Sequence, residues 1–495
     1  MVMGGLDIGT SGCKCTVMRA DGKVLSSCYR EYGVSRRAGA HEADPAVIWD
    51  TAKHVIRNAC SQSPEPVQAL AVTSFGESVV LLDDGGEPLA PAMLYTDPRG
   101  QEQSERLSRE LGEQRIFDMC GHSPNAMYSL PKLMYLRETQ PELFTRVRHI
   151  LPIHAYIVYR LCGTAVTDYS LAARTMMLDV RKLDWCDELL AAGGVMRSVL
   201  PKVVPPGTAA GEILPDLATE IGLPKGAVMV IGCHDQVAAA IGAGALRPGV
   251  AVNGSGTVEC FTPVFGGIPA QTDLMRQNGY AIVPAVDGLY VTYAFIFTGG
   301  ALLQWYRDHF AVAAKAEAEK SGRSVYAVLD GKVRSDPTGL FVLPHFAGAA
   351  TPYMDSGAKG AVVGLLLEHD ERDLYRALLE GVAYESRVNL ERLAQSGVSI
   401  GSIRATGGGA RSRVWLQIKA DILGKPIETL EVDEAGTVGS LMLAGLACGC
   451  YATLDQAMAL AKTKARIEPA ADRIRYDLSY ERYKRVYDAV KSIYA

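Results

Sequence analysis

Residues 227–245 read AVMVIGCHDQVAAAIGAGA, and the fold turns on how this stretch divides. Val228 to Ile231 is an apolar run of strand length, Gly232 to Gln236 breaks it with polar residues, and Val237 to Ala245 is small and apolar, as in a closely packed helix. Strand, turn and helix in that order predict an α/β unit, in which ligands sit beyond the carboxyl ends of the strands. Asp235 falls at that place. A carboxylate there either accepts a proton from a bound hydroxyl or only caps the helix that follows, and the local sequence leaves both open.

Working outward, the chain opens with a strand from Gly4 to Ile8 that meets the turn Gly9-Thr10-Ser11-Gly12. Cys15 to Met18 and Val24 to Cys28 follow as strands joined by Asp21-Gly22, a strong hairpin signal. Such a turn aims backbone N–H groups and hydroxyls at phosphate oxygens, and Asp7 beside it is placed to hold Mg²⁺ through water. Asp-Ile-Gly-Thr is also an ordinary hairpin turn. Lys14 reads as a phosphate contact or as a solvated strand residue. The second half repeats the opening: Gly249 to Asn253 enters Gly254-Ser255-Gly256-Thr257, Val258 to Phe261 continues as a strand, and Tyr280 to Tyr293 is a hairpin turning at Asp287-Gly288. The recurrence predicts two like domains, 1–245 and 246–495, each offering a hairpin turn to the same phosphates.

Between these landmarks lie candidate ligand groups. Glu77 interrupts two apolar strands, Ala69 to Thr73 and Val79 to Leu82, and Asp97 with Arg99 follows another apolar stretch. Carboxylates so placed accept hydrogen bonds from the hydroxyls of a polyol, although Asp97 and Arg99 also read as a structural ion pair. Tyr128 and Lys132 precede a helical run, and Asp168 to Asp179 reads as a loop and strand. In the second half, Thr298-Gly299-Gly300 opens a helix bearing Gln304. The strand Ser402 to Thr406 ends in Gly407-Gly408-Gly409-Ala410, where three glycines allow a base or phosphate close to the backbone. Neither GxxxxGK[ST] nor GxGxxG occurs.

Composition narrows the function. The 495 residues are 48% hydrophobic with a net charge of −5, and their Lys and Arg residues are dispersed, which gives no reason to expect nucleic acid or an anionic membrane. No apolar run is long enough to span a bilayer, and a cytoplasmic location is expected. The 11 cysteines lack CxxC spacing and read as buried apolar residues rather than disulfides or zinc ligands.

Taken together, Asp7-Ile8-Gly9-Thr10-Ser11, Tyr95-x-Asp97-x-Arg99, Gly232-x-x-Asp235-Gln236 with Gly242-x-Gly244, Gly254 to Thr257, and Gly407 to Ala410 with Trp415, Gln417 and Ala420-Asp421 resemble the FGGY carbohydrate kinases, relatives of glycerol kinase and xylulokinase in the actin-like ATPase superfamily. The resemblance implies an α/β fold of two ribonuclease H-like domains, each a mixed sheet flanked by helices, facing across a cleft. It also implies ATP and Mg²⁺ as cofactors, Asp235 as the base, Asp7 near the metal, and phosphate contacts from Gly9, Thr10, Ser11, Lys14 and Gly254, Ser255, Gly256 and Thr257. Gly300, Gln304, Gly408, Gly409 and Ala410 would frame the nucleotide. Glu77, Asp97, Tyr128, Asp235 and Gln236 would meet the sugar. A pentulose such as xylulose is the first expectation for the acceptor, with gluconate, glycerol, erythritol or another polyol behind it. A homodimer is compatible with the resemblance, and a non-enzymatic actin-like assembly protein is the competing class. The chain departs from the family in ways that leave the sugar open: it has Gly76 where glycerol kinases carry Arg, and Phe75-Gly76-Glu77 where xylulokinases carry Met-His-Gly.

Overall fold

The computed structural model describes every residue except Ala38, Val432, Asp433 and Ala495. The first sheet is built from β1 (Val2–Ile8), β2 (Gly12–Arg19), β3 (Val24–Glu31), β4 (Ala69–Ser74), β5 (Ala209–Glu212) and β6 (Val228–His234), in the order β5-β6-β4-β1-β2-β3. β1, β4 and β6 run parallel, and β2 and β3 form an antiparallel meander on one side. Asp7 lies opposite Thr73 and His234 opposite Ser74, so Gly9, Glu77 and Asp235 all follow the same carboxyl edge of the sheet.

The second sheet repeats this plan with β7 (Val250–Ser255), β8 (Glu259–Gly266), β9 (Ser402–Thr406), β10 (Ile427–Leu430) and β11 (Thr463–Ile467). β7, β9 and β10 are parallel, β8 pairs antiparallel with β7, and Gly254 lies opposite Thr406 at the carboxyl edge. The Asp287-Gly288 turn forms as expected, with both residues at positive φ (53° and 75°), as a type I′-like hairpin requires.

Helix α1 (Pro45–Gln62) covers one face of the first sheet. Asp44 caps it by accepting from the Ala46 N–H, Pro45 sits at its first turn, and Ile48, Trp49, Ala52, Val55, Ile56 and Ala59 form its buried stripe. The other face is covered from the far end of the chain. After α2 (Asp235–Gly242), α3 (Gly300–His309), α4 (Glu371–Gln395) and α5 (Arg413–Leu423) comes α6 (Ala435–Ala447). Leu441 and Ala444 of α6 pack on Met3, Met18, Ala69, Ala71 and Val230 of the first sheet. The division at 245/246 therefore separates the two sheets but not their covering helices.

Small residues allow this return. In β1 successive residues face opposite sides, so Met3, Gly5 and Asp7 share the α6 face. A Cβ on Gly5 would stand 2.8 Å from the Thr437 carbonyl oxygen. α2 and α6 then cross at matching pairs: a Cβ on Gly242 would lie 1.8 Å from the Ala435 oxygen, and one on Gly439 1.9 Å from the Ala238 oxygen. The contacts are reciprocal, one glycine of each helix meeting a carbonyl oxygen of the other. Their close approach brings the first turn of each to the edge where Asp7 and Asp235 lie.

Candidate active site

Asp235 is the first residue of α2, and His234 occupies the cap position. The capping alternative for Asp235 is thereby removed. Its side chain is about a third exposed (36%), but Oδ1 is covered and has no hydrogen-bond partner. Burial, then the charges of Asp7 and Glu77, push its carboxyl up to about 7. His234 Nε2 is 3.2 Å from Oδ1 without hydrogen-bonding geometry, and the Tyr293 hydroxyl is 2.9 Å from His234 Nδ1. Burial holds this imidazole neutral, its pKa well below the usual histidine value. A carboxylate poised near neutrality, open on one side and unpaired on the other, is suited to taking a hydroxyl proton.

Asp7 is also raised, to about 6, by burial and by Glu434, with Lys14 acting in the opposite sense. Lys14 reaches across to Glu434 just before α6, at 2.9 Å. The lysine that the sequence suggested as a phosphate contact is thus paired with a residue of the other half. The turn that follows is tight, with the Gly9 N–H donating to the Gly12 oxygen at 2.9 Å, and it leaves Thr10 and Ser11 at the surface.

Beside Asp235 lies a buried charge pair. Glu77 adopts a left-handed backbone (φ 62°), uncommon for a residue with a side chain, and its carbonyl oxygen accepts from the Ser129 hydroxyl at 2.9 Å. Its Oε1 receives both Nε and Nη2 of Arg174. The Arg174 guanidinium sits 5.3 Å from the ring centres of both Tyr128 and Tyr293. Tyr128 stacks on His122 at 4.7 Å, and His122 Nδ1 lies 2.7 Å from the Gly121 carbonyl. That carbonyl can only accept, so the ring proton sits on Nδ1, and burial holds the imidazole neutral, its pKa down to about 3. Gln236, next to the proposed base, faces β8, with Thr262 Oγ1 3.4 Å from its Oε1.

Asp97, 1% exposed, has both oxygens engaged, by Arg99 and by the His41 N–H, so it is a structural pair that offers a substrate no free oxygen. The span 168–179 is not loop and strand throughout: Asp168 caps a helix from Tyr169 to Ala173, and that helix delivers Arg174, which sequence reasoning missed. A five-residue helix is too short to show a period.

Across the edge, a cavity of about 510 Å³ is lined by Ser255, Gly256, Thr257, Gly300, Gln304, Gly408 and Gly409. These seven are among the residues expected at a nucleotide. Gly254 and Ala410 flank the lining, and Tyr326, Asp330, Tyr375 and Arg411 join it without a motif to announce them. Two of the glycines around it are required by backbone crowding: a Cβ on Gly300 would be 2.4 Å from the Gly256 oxygen, and one on Gly407, at φ +80°, 2.7 Å from the Ser255 oxygen. Below the cavity Lys419, fully buried, binds Glu259, Asn253 Oδ1 (3.1 Å) and Ser255 Oγ (2.7 Å), which fixes the turn from beneath.

Residues 2–242 match the N-terminal domain of the FGGY family of carbohydrate kinases and residues 266–448 its C-terminal domain. The chain is 26% identical to a xylulose kinase of Bacillus subtilis over 99% of its own length and 96% of the relative. It is 30% identical to a glycerol kinase of Carboxydothermus hydrogenoformans over 97% and 96%. Its structure superposes on that of a xylulose kinase from Rhodospirillum rubrum with a TM-score of 0.89, 27% identity and full coverage of both chains.

Proposed function

The chain belongs to the FGGY family of carbohydrate kinases, and from that footing we propose that it transfers the terminal phosphoryl group of ATP to a hydroxyl of a pentulose such as xylulose, with Asp235 as the base. The observation that carries this reading is the position of Asp235: a third exposed, raised to about 7, and on the edge between the buried Glu77–Arg174 pair and the glycine-lined cavity. Phosphoryl transfer has a loose transition state, so alignment and charge neutralisation matter more than base strength. In this reading the cavity holds the nucleotide, the turns at 9–12 and 254–257 hold its phosphates from opposite halves, and Asp235 takes the proton of the attacking hydroxyl. Glycerol, gluconate and erythritol are the acceptors to set beside a pentulose.

Magnesium fits the donor chemistry at Asp7. Among the described residues no group of three or more His, Cys, Asp or Glu side chains is arranged around a metal. An ion there would take one carboxylate from the protein and its other ligands from water and phosphate oxygens, as Mg²⁺ does at phosphoryl-transfer sites. When bound it would neutralise charge on those oxygens. ADP release measured with ketopentoses, polyols and sugar acids tests the assignment. A ketopentose should give the highest kcat/KM, and ATP turnover indifferent to every acceptor would refute it.

A further inference from the structure

A turn can hold a phosphate only if its N–H groups, and not its carbonyl oxygens, face the ligand. In the turn at 9–12 three of those oxygens are already taken by the protein. The Gly12 oxygen accepts from the Gly9 N–H, the Ser11 oxygen from the Tyr32 N–H at 3.0 Å, and the Gly9 oxygen from the Tyr32 hydroxyl. The N–H groups of Thr10 and Ser11, by contrast, have no acceptor among the described residues. Tyr32 stands one residue past the end of β3, whose last pair with β2 is Glu31 opposite Gly12, so its hydroxyl bond is not needed to join the strands. It is 8% exposed, and burial pushes the phenol well above its ordinary pKa, which keeps the hydroxyl a donor. The second turn meets the same need with backbone alone. The Gly256 oxygen accepts from the Gly300 N–H at 2.8 Å, and the Thr257 oxygen from the Gly299 and Ala301 N–H groups at 3.1 and 3.0 Å. The start of α3 does there what one side chain does at the first turn.

We propose that Tyr32 is the positioning residue of the first phosphate turn: its hydroxyl pins the Gly9 carbonyl and thereby leaves the Thr10 N–H to the outer phosphates of the nucleotide. The inference rests on the kinase reading and adds to it a residue that no motif marks. Tyr32 itself touches no phosphate. The Gly9 C=O and the Thr10 N–H belong to one planar trans peptide and point to opposite sides of it, so holding the oxygen against the protein directs the N–H away from it. Gly9 offers little resistance to rotation of that peptide, which is why a pin is needed. Without the hydroxyl the Gly9 oxygen has no donor, and a flip of the peptide exchanges the Thr10 N–H for that oxygen. A donor facing the phosphates then becomes an acceptor that repels them.

The test is calorimetric binding of AMPPNP and AMP to Tyr32→Phe, which keeps the ring and loses only the hydroxyl, with thermal melting as the control for folding. The variant should bind AMPPNP about tenfold more weakly, with the AMP Kd and the acceptor KM within about twofold of wild type. A merely structural role would lower the melting temperature without separating the two nucleotides. Tyr29→Phe is the matched control on the same strand: the Tyr29 hydroxyl lies against Gly12 but takes no turn carbonyl, and its loss should leave AMPPNP binding within about twofold. Hydrogen exchange of the wild-type protein supplies a readout that needs no variant. With AMPPNP bound, the peptide spanning residues 9–12 should exchange about tenfold more slowly, and with AMP it should be unchanged. A folded Tyr32→Phe with wild-type AMPPNP affinity, or exchange at 9–12 indifferent to tightly bound AMPPNP, would overturn the proposal while leaving the kinase reading intact. A wild-type protein that binds AMPPNP no more tightly than AMP and turns over no acceptor would overturn both.

Discussion

The turns at Gly9–Gly12 and Gly254–Thr257 are one device built twice, a hairpin at the carboxyl edge beside the first strand of each sheet, yet their surroundings have diverged. Around the first gather ionisable side chains: Asp7, Lys14 with Glu434, Asp235, and Glu77 with Arg174. Around the second, Gly300 and Gly407 leave no room for a side chain, Gln304, Tyr326 and Tyr375 complete the lining, and the Lys419–Glu259 charges are sealed beneath. The repeated fold supplies the frame, and side-chain chemistry divides the labour. In the proposed reading, proton transfer and acceptor recognition fall to the charged half, and nucleotide shape to the glycine half.

The sharpest way to break this division is Asp235→Asn. It should lower kcat by about 10³-fold, within the range general bases contribute, while the ADP Kd stays within about twofold. Asp235 must be ionised to act and its carboxyl titrates at about 7. For the wild type, kcat/KM for the acceptor should therefore fall about tenfold per pH unit below that value and level off above it. The same raised pKa means that the native state binds this proton more tightly than the unfolded chain does. Stability is then lost as pH rises from about 4 to about 7, and the Asn variant should melt about 1–2 °C higher than wild type at pH 8. A flat pH profile or a lower melting temperature would place the controlling charge elsewhere.

On the glycine side, Gly300→Ala puts a methyl group 2.4 Å from the Gly256 oxygen. It should raise the KM for ATP by about 10–100-fold and leave the acceptor KM within about twofold. Equal effects on both substrates would erase the distinction between the halves. A smaller effect is expected where they meet: Gly439→Ala drives a methyl group toward the Ala238 oxygen at the α2–α6 crossing. It should cost about 1–3 kcal/mol of stability in denaturant unfolding, with only a few-fold change in either KM.

Much of this asymmetry was legible in the residues. Glycine and threonine clusters placed after apolar runs locate both hairpin turns, and Asp235 stands out because a charge interrupts an otherwise apolar stretch. Contacts that join distant segments left no local mark. Arg174 meets Glu77 across 97 positions and rides on a five-residue helix. α6 is buried on nearly every side, so it lacks the polar face that would have shown a period or a partner, and its return to the first sheet follows only from the fold. Asp97 shows the opposite problem, since a carboxylate in a polar cluster reads alike whether it waits for a ligand or is already paired with Arg99.

The central claim is that one phosphate chain is held from both halves, and calorimetric binding of AMPPNP and AMP to Thr10→Ala/Ser11→Ala tests it most directly. The account predicts that AMPPNP binds about tenfold more weakly while AMP, which lacks the outer phosphates, changes by less than about twofold. Unchanged AMPPNP affinity, or an equal loss for both nucleotides, would contradict it.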